Sequence, residues 1–271
     1  MIHRTPFAEN AEWSDLKELI RSLAKAELMN RFHKVEASLK GDGSLITEAD
    51  RAMQFSVKKE LQRRWPEYAF LGEESTCDHQ RQALRGEGGC WILDPLDGTT
   101  NYAHGFELFS SSLALSVAGK SVLGIVHDPV RDETFAARRG LGAELNGRSL
   151  SLDKVPQTLG TSLALVDFKR LSRPLAIALV TEPPFASQRN IGSVALEWCW
   201  LAAGRADLYL HGGQRLWDYA AGQLIFSEAG GASCTFEGDS IPSHSTEPRS
   251  ALAAGNSVLL GLWKEALNPY Q

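Results

Sequence analysis

The sequence predicts a mixed α/β protein built in layers, on three observations. Apolar residues recur at helical spacing in the first forty residues. Strand-like runs separated by turn signals extend from Phe109 to about Leu152, and helix and strand patterns then alternate to the end. We read one domain over residues 1–271, with a helix-plus-antiparallel-sheet half at 1–152 and an α/β half at 153–271.

The elements follow in order. Leu16, Leu19, Ile20 and Leu23 mark a helix across the first forty residues, where no proline interrupts after Ala8. The polar, glycine-bearing KGDGSLI reads as a mobile loop. A second helix follows, with Thr47 and Asp50 at capping-box spacing, Met53, Val57 and Leu61 on one face, and Pro66 as the stop. YAFLGEES is a short buried strand ending in two glutamates, and TCDHQRQALRGEGG a polar surface excursion. SSLALSVAG, SVLGIVHDP and TFAARRG form an antiparallel meander, with turns signalled at Gly119-Lys120, Asp128-Pro129 and Asn146-Gly147. Beyond it, SLALVDF is a strand, SVALEWCWLAAG a buried helix ending at Gly204, and ADLYLH a strand. LWDYAAGQLIFSEAGG is a helix stopped by a glycine pair. ASCTF, ALAAGN and the amphipathic NSVLLGLWKEAL close the chain.

Composition excludes several roles. With 43% hydrophobic and 23% charged residues, the chain has enough apolar material for a sizeable core. A net charge of −5 argues against a nucleic-acid backbone as the main ligand, because such binding rests on basic neutralisation of phosphates. No apolar run is long enough for a membrane span, and the N-terminal stretch lacks the apolar segment of a signal peptide. Cys77, Cys90, Cys199 and Cys234 form no C-x-x-C pair. They read as reduced thiols, and the expected location is the cytoplasm.

Acids end apolar segments at three distant places: Glu73-Glu74, Asp94 with Asp97, and Asp218. Buried carboxylates suffer desolvation and repel one another, and a divalent cation removes both penalties. Their hard oxygens suit Mg²⁺, Mn²⁺ or Ca²⁺, while the scarcity of His and Cys in these motifs disfavours zinc. In Asp94-Pro-Leu-Asp97-Gly98-Thr99-Thr100, proline sets a turn that aims both aspartates at one spot, and the Leu96 carbonyl can join them. Gly98 lets backbone approach a ligand, and the Gly-Thr-Thr-Asn that follows can start a helix whose free N–H groups bind an anion. Metal-binding acids beside an anion cradle point to metal-assisted phosphoryl chemistry.

These motifs carry a resemblance. GEES at 72–75, WILDPLDGTTNYAHG at 91–105 and LWDYAAGQLIFSEAGG at 216–231 appear in order, and the chain resembles the inositol monophosphatase family along nearly its whole length. That family belongs to the lithium-sensitive, magnesium-dependent phosphatases that include fructose-1,6-bisphosphatase. The resemblance implies an αβαβα sandwich, a homodimer and hydrolysis of a small phosphorylated alcohol such as inositol 1-phosphate. It implies one Mg²⁺ on Glu73, Asp94 and the Leu96 carbonyl, a second on Asp94, Asp97 and Asp218, and a looser third near Glu73. Mn²⁺ is the expected substitute, Ca²⁺ and Li⁺ the expected inhibitors. Gly98, Thr99 and Thr100 would hold phosphate, Asp50 and Thr99 with Glu73 would form the catalytic set, and Lys40 would sit in a loop closing over the site.

For the alcohol, the resemblance points to Asp97, to Gly192, Ser193 and Val194, and to His211, which stands where relatives have a glutamate. Arg215 faces the site mouth in this reading and favours a more anionic substrate. Histidinol-phosphate phosphatase is an alternative within the class, a bisphosphate nucleotidase a less favoured one. A binding partner of RNA-processing or transcription machinery is the alternative outside it, against which the complete acid set argues.

Overall fold

The computed structural model describes residues 7, 9–33, 37–39, 45–86 and 88–268. Helix α1 (Asn10–Ala24) runs into a π-helical turn at Lys25–Met29 and ends there, well short of the forty residues its periodicity suggests. The Leu28 carbonyl accepts the Tyr102 hydroxyl at 2.7 Å, and His33 takes a positive φ of 67°. A π turn opens the carbonyl ladder for such an outside donor. Strand β1 (Ala37–Leu39) pairs antiparallel with β2 (Leu45–Thr47), so the end of KGDGSLI is strand. Lys40 lies outside the described residues.

Helix α2 (Glu48–Arg64) starts at the expected capping box. Then come β3 (Ala69–Gly72) and α3 (Cys77–Leu84), a helix in the stretch whose polarity suggests an excursion. Thr76 caps α3 by accepting from the His79 N–H, and the buried faces of Gln80 and Ala83 pin it down. Next are β4 (Cys90–Asp97), the five-residue α4 (Thr99–Ala103), β5 (Ser110–Val117), β6 (Lys120–Asp128), β7 (Glu133–Arg138), β8 (Ala143–Leu145) and β9 (Arg148–Leu150). The second part contains β10 (Leu163–Asp167), α5 (Arg173–Thr181), β11 (Ser187–Arg189), α6 (Val194–Ala202), β12 (Leu208–Gln214) and α7 (Leu216–Glu228). It ends with β13 (Ala232–Cys234), β14 (Arg249–Ala254) and α8 (Ser257–Leu267).

Strands β3 to β9 form a seven-stranded sheet in chain order, antiparallel except for the parallel β3–β4 pair. The second sheet has five strands in the order β11-β10-β12-β14-β13, parallel across β11-β10-β12 and antiparallel at β14. The period of two along each strand decides the layers. On β4, Cys90 and Ile92 face inward to one cluster with α6 and α7, while Trp91 and Leu93 face α1 and α2. On β12, Tyr209 joins the same α6–α7 cluster, while Leu208 and Leu210 face α5 and α8. The molecule is therefore an αβαβα sandwich, with α6 and α7 as the middle layer.

That layer is tightly seated. A Cβ on Gly124 of β6 would lie 2.8 Å from the Ala221 backbone, and one on Gly222 of α7 would lie 2.6 Å from Trp198 Cβ. The small residues of DYAAG thus let α7 lie close to both the sheet and α6. No helix among the described residues is long and apolar enough to cross a membrane.

Candidate active site

The parallel register of β3 and β4 pairs Gly72 with Leu93, which sets Glu73 beside Asp94 at the strand ends. Gln80 of α3 donates to the Gly72, Glu73 and Ser75 carbonyls and fixes the glutamate turn. Between Asp94 and Asp97 the ladder to β5 slips, with Asp94 opposite Ser112 and Asp97 opposite Ser110. Such a bulge re-aims side chains. The Leu96 N–H donates to Asp94 Oδ1 at 3.0 Å, and Ser111 Oγ donates to the Pro95 carbonyl at 2.7 Å. Asp97 Oδ2 accepts from Ser193 Oγ at 2.5 Å and from the Ala195 N–H at 2.7 Å. Asp218, in the first turn of α7, accepts from the Arg215 N–H at 2.8 Å.

The acids share one electrostatic environment. Burial, then the charges of Glu73, Asp97, Asp218 and Asp50, push the Asp94 carboxyl well above the usual range. Burial and then Asp97 raise Asp218 likewise. Asp97 rises to about 6 through burial, opposed by its bonds to Ser193, Ala195, Val194 and Gly98. Among the described residues no three His, Cys, Asp or Glu groups are closed to metal-ligand spacing, and like charges have no reason to draw together by themselves. The donor set nonetheless fits a hard cation: several buried carboxylates converge on one pocket beside the Leu96 carbonyl, and their oxygens are hard ligands.

Asp50 and Thr99 meet across elements. Thr99 Oγ1 lies 3.2 Å from Asp50 Oδ1 and 2.9 Å from the Leu96 carbonyl, to which it can donate. Asp50 Oδ2 accepts from the Thr47 N–H at 2.7 Å and from Thr47 Oγ1 at 2.5 Å, so the capping box and the site share one fully buried carboxylate. Gly98 takes a φ of 92°, and a Cβ there would lie 2.9 Å from the Leu108 carbonyl; no other residue fits the turn without displacement. Since α4 has only five residues, any anion cradle here is the backbone around Gly98 and Thr99 and not the dipole of a long helix.

Glu73, Asp94, Leu96, Asp97, Gly98, Thr99, Thr100 and Asp218 line one cavity of about 880 Å³, as do Gly192, Val194, His211 and Arg215. Ser193 does not line it: fully buried, its hydroxyl is committed to Asp97. His211 lines the cavity wall but is itself buried. Its Nδ1 accepts from the Gly213 N–H at 3.1 Å, Nε2 lies 3.6 Å from Asp167 Oδ2, and burial followed by Arg170 and Lys169 lowers its pKa to about 3. The Asp167 contact, which taken alone would favour a charged ring, is long and loses to burial, so the imidazole is neutral. Another cavity, about 620 Å³, opens at the opposite end of β4 beside Cys90, and among the described residues no acidic side chain lines it.

Four further charged or ionisable lining residues escape the sequence reading: Asp167, Lys169, Arg170 and Glu197. Asp167 ends strand β10 as other site acids end theirs, which is a usable signal. Glu197 sits on the buried helix α6 and accepts from the Ile191 N–H at 2.9 Å; its pKa rises to about 8, chiefly through burial.

Known proteins share both chain and fold. The sequence matches the inositol monophosphatase family over residues 3–270. Nus factor SuhB of Pasteurella multocida is 36% identical over 245 residues, covering 88% of this chain and 86% of that protein. Inositol-1-monophosphatase of Mesorhizobium japonicum is 35% identical over 231 residues, covering 83% of each. The solved structure of Thermotoga maritima IMPase aligns with a TM-score of 0.81 at 27% identity, across 96% of this chain and 99% of that one. An acid cluster at strand ends, a layered sandwich around it and a match across almost every residue lead to one conclusion: this chain belongs to the inositol monophosphatase family.

Proposed function

We propose that the chain is a Mg²⁺-dependent phosphomonoesterase acting on a small phosphorylated alcohol, with inositol 1-phosphate as the reference substrate. One observation carries the reading: acids from three remote segments face each other in one pocket, and the Asp94 and Asp218 carboxyls are raised by burial and by the charges of their neighbours. Glu73, Asp94, Asp97, Asp218 and the Leu96 carbonyl would hold the cations. When bound, these supply Lewis-acid charge for the phosphoryl oxygens and lower the pKa of a water.

The chain's own groups do the rest. Asp50, held by Thr47, keeps Thr99 Oγ1 oriented, and the proton of the attacking water passes through Thr99 Oγ1 towards Asp50 Oδ1. The Gly98 and Thr99 N–H groups, with Thr100, hold the phosphoryl oxygens. Ser193 and Ala195 brace Asp97 from the second half of the chain, so its carboxylate need not reorganise during the reaction. We read residues 1–152 and 153–271 as halves of one domain that meet here, in a homodimeric cytoplasmic protein.

The test is phosphate release with Mg²⁺ from inositol 1-phosphate, histidinol phosphate and 2-glycerophosphate, by the wild type and Asp94→Asn. Hydrolysis of at least one ester by the wild type alone is expected; equal activity in the variant would remove Asp94 from the site. A second reading rests on the relative named Nus factor SuhB, whose 36% identity suits a partner in transcription. Retention of such a partner by Asp94→Asn in a pull-down would separate binding from catalysis.

A further inference from the structure

Resting on the phosphatase reading, we infer that the pocket wall opposite the cation-binding acids takes a second anionic group of the substrate. The physiological ester would then carry a carboxylate or another phosphate besides the one hydrolysed.

The cavity has two poles on different sheets. The metal-binding acids stand at the ends of β3 and β4 and on α7, whereas Asp167, Lys169, Arg170 and His211 stand at the ends of β10 and β12. Register pairs Asp167 with His211, so both face this second pole. The charges there are Lys169, Arg170 and Arg215 against Asp167, with His211 neutral. Glu197, the remaining acid on this wall, is buried and hydrogen bonded to backbone N–H groups, which removes much of its field.

Asp167 offsets one of the three cations. Its Oδ1 accepts from the Lys169 N–H at 3.2 Å and Asn190 Nδ2 at 3.3 Å, and its Oδ2 forms a long ion pair with Lys169 Nζ at 4.0 Å, which leaves Arg170 and Arg215. Arg170 has no acidic partner within salt-bridge distance among the described residues. Among the described residues the Arg215 guanidinium donates to the Thr246 carbonyl at 3.4 Å and has no acid within salt-bridge distance, although its charge reaches Asp218. A neutral polyol gives exposed cations no charge to meet, whereas an anion gains charge-assisted hydrogen bonds.

The cationic turn is also fixed in place. Lys169 and Arg170 occupy a single 3₁₀ turn, Phe168–Arg170, whose Lys169 N–H is capped by the Asp167 side chain. The Arg170 carbonyl approaches Gly212 so closely that a Cβ there would lie 1.7 Å from it. Glycine at 212 is what lets the turn lie against β12 and present its two cations to the pocket.

The experiment compares kcat/KM with Mg²⁺ for two matched pairs: glycerol 3-phosphate with 3-phosphoglycerate, and fructose 1-phosphate with fructose 1,6-bisphosphate. We expect about a tenfold preference for the doubly anionic member of at least one pair, carried by KM and shrinking with added NaCl. A preference confined to one pair identifies the second group as carboxylate or phosphate. In Lys169→Gln/Arg170→Gln the ratio should fall towards unity, and Lys169→Arg/Arg170→Lys should keep it. Equal kcat/KM within both pairs, or a preference that survives the Gln pair, overturns the inference while leaving the phosphatase reading intact. Hydrolysis of none of the four esters while inositol 1-phosphate is still turned over also overturns the inference; hydrolysis of neither these four nor inositol 1-phosphate, histidinol phosphate and 2-glycerophosphate overturns both.

Discussion

Replacing Glu197 by glutamine should flatten the pH dependence of stability. The carboxyl lies in the first turn of α6, 2% exposed, and its pKa is raised from 4.5 to about 8 by burial, against the bonds from Ile191 and Gly192. An acid whose pKa is higher folded than unfolded holds its proton more tightly in the native state. Its stabilising effect is therefore full below about pH 4.5 and is lost as pH rises through about 8. Applying 1.36 kcal/mol per pKa unit, the loss between pH 6 and pH 9 is about 2.7 kcal/mol, the whole range to high pH being about 5. Glutamine keeps the acceptor oxygen for Ile191 and does not titrate. The assay is urea unfolding of both proteins at pH 6, 7, 8 and 9 in saturating Mg²⁺. Groups common to both, Asp97 included, cancel in the difference. The variant should gain on the wild type as pH rises; parallel curves would refute the argument that Glu197 is folded in as a neutral acid.

Other perturbations address the remaining parts of the site. Asp94→Asn should abolish Mg²⁺-dependent hydrolysis while raising the melting temperature in EDTA at pH 8, because a buried like charge is removed; a lower melting temperature would contradict the repulsion seen among these acids. Gly98→Ala should cost about 1–3 kcal/mol and most of the activity, as its Cβ meets the Leu108 carbonyl at a φ of 92°; thermal melting and kcat report this. Thr47→Val removes a helix cap worth about 1 kcal/mol and frees Asp50, so kcat should fall with KM little changed. Lithium in the millimolar range should inhibit, and complete insensitivity would count against the proposed cation arrangement.

The sequence made legible what local chemistry decides. Turn residues and period-two strands located the meander, and the DPLDGTT run located the bulge that aims two aspartates, because proline, glycine and crowded acids carry their meaning over a few residues. Readings failed where tertiary partners overrule composition. Helix α3 looks like a surface excursion because only Gln80 and Ala83 of its eight residues are buried. The first helix ends where the Arg31 and Phe32 N–H groups and, from 74 residues away, the Tyr102 hydroxyl converge on the Leu28 carbonyl, a contact that local periodicity does not carry. Lys169 and Arg170 carry no local signal at all; only the parallel pairing of β10 with β12 and the bare backbone at Gly212 bring them to the cavity. Ser193 was expected at the substrate and instead holds Asp97, a role that needs the two halves in contact before it can be seen.

That last contact explains how such repulsive acids remain in place before any cation arrives. Asp97 accepts from N–H groups at the start of α6, and Asp218 sits in the first turn of α7 on the Arg215 N–H. Both helices of the middle layer thus point their N-terminal ends at the acids, and each end carries roughly half a positive charge. These fixed dipoles offset part of the like-charge cost with backbone alone, leaving the carboxylate oxygens that are not hydrogen bonded free for cations. The layer must therefore be seated for the site to exist, and Gly124 is where it seats against β6. Gly124→Val would drive α7 off the sheet and weaken Mg²⁺ affinity although no ligand is altered. Isothermal titration with Mg²⁺ alone reads this directly: unchanged affinity in a folded Gly124→Val protein would show that the acids are organised locally and not by the helices behind them.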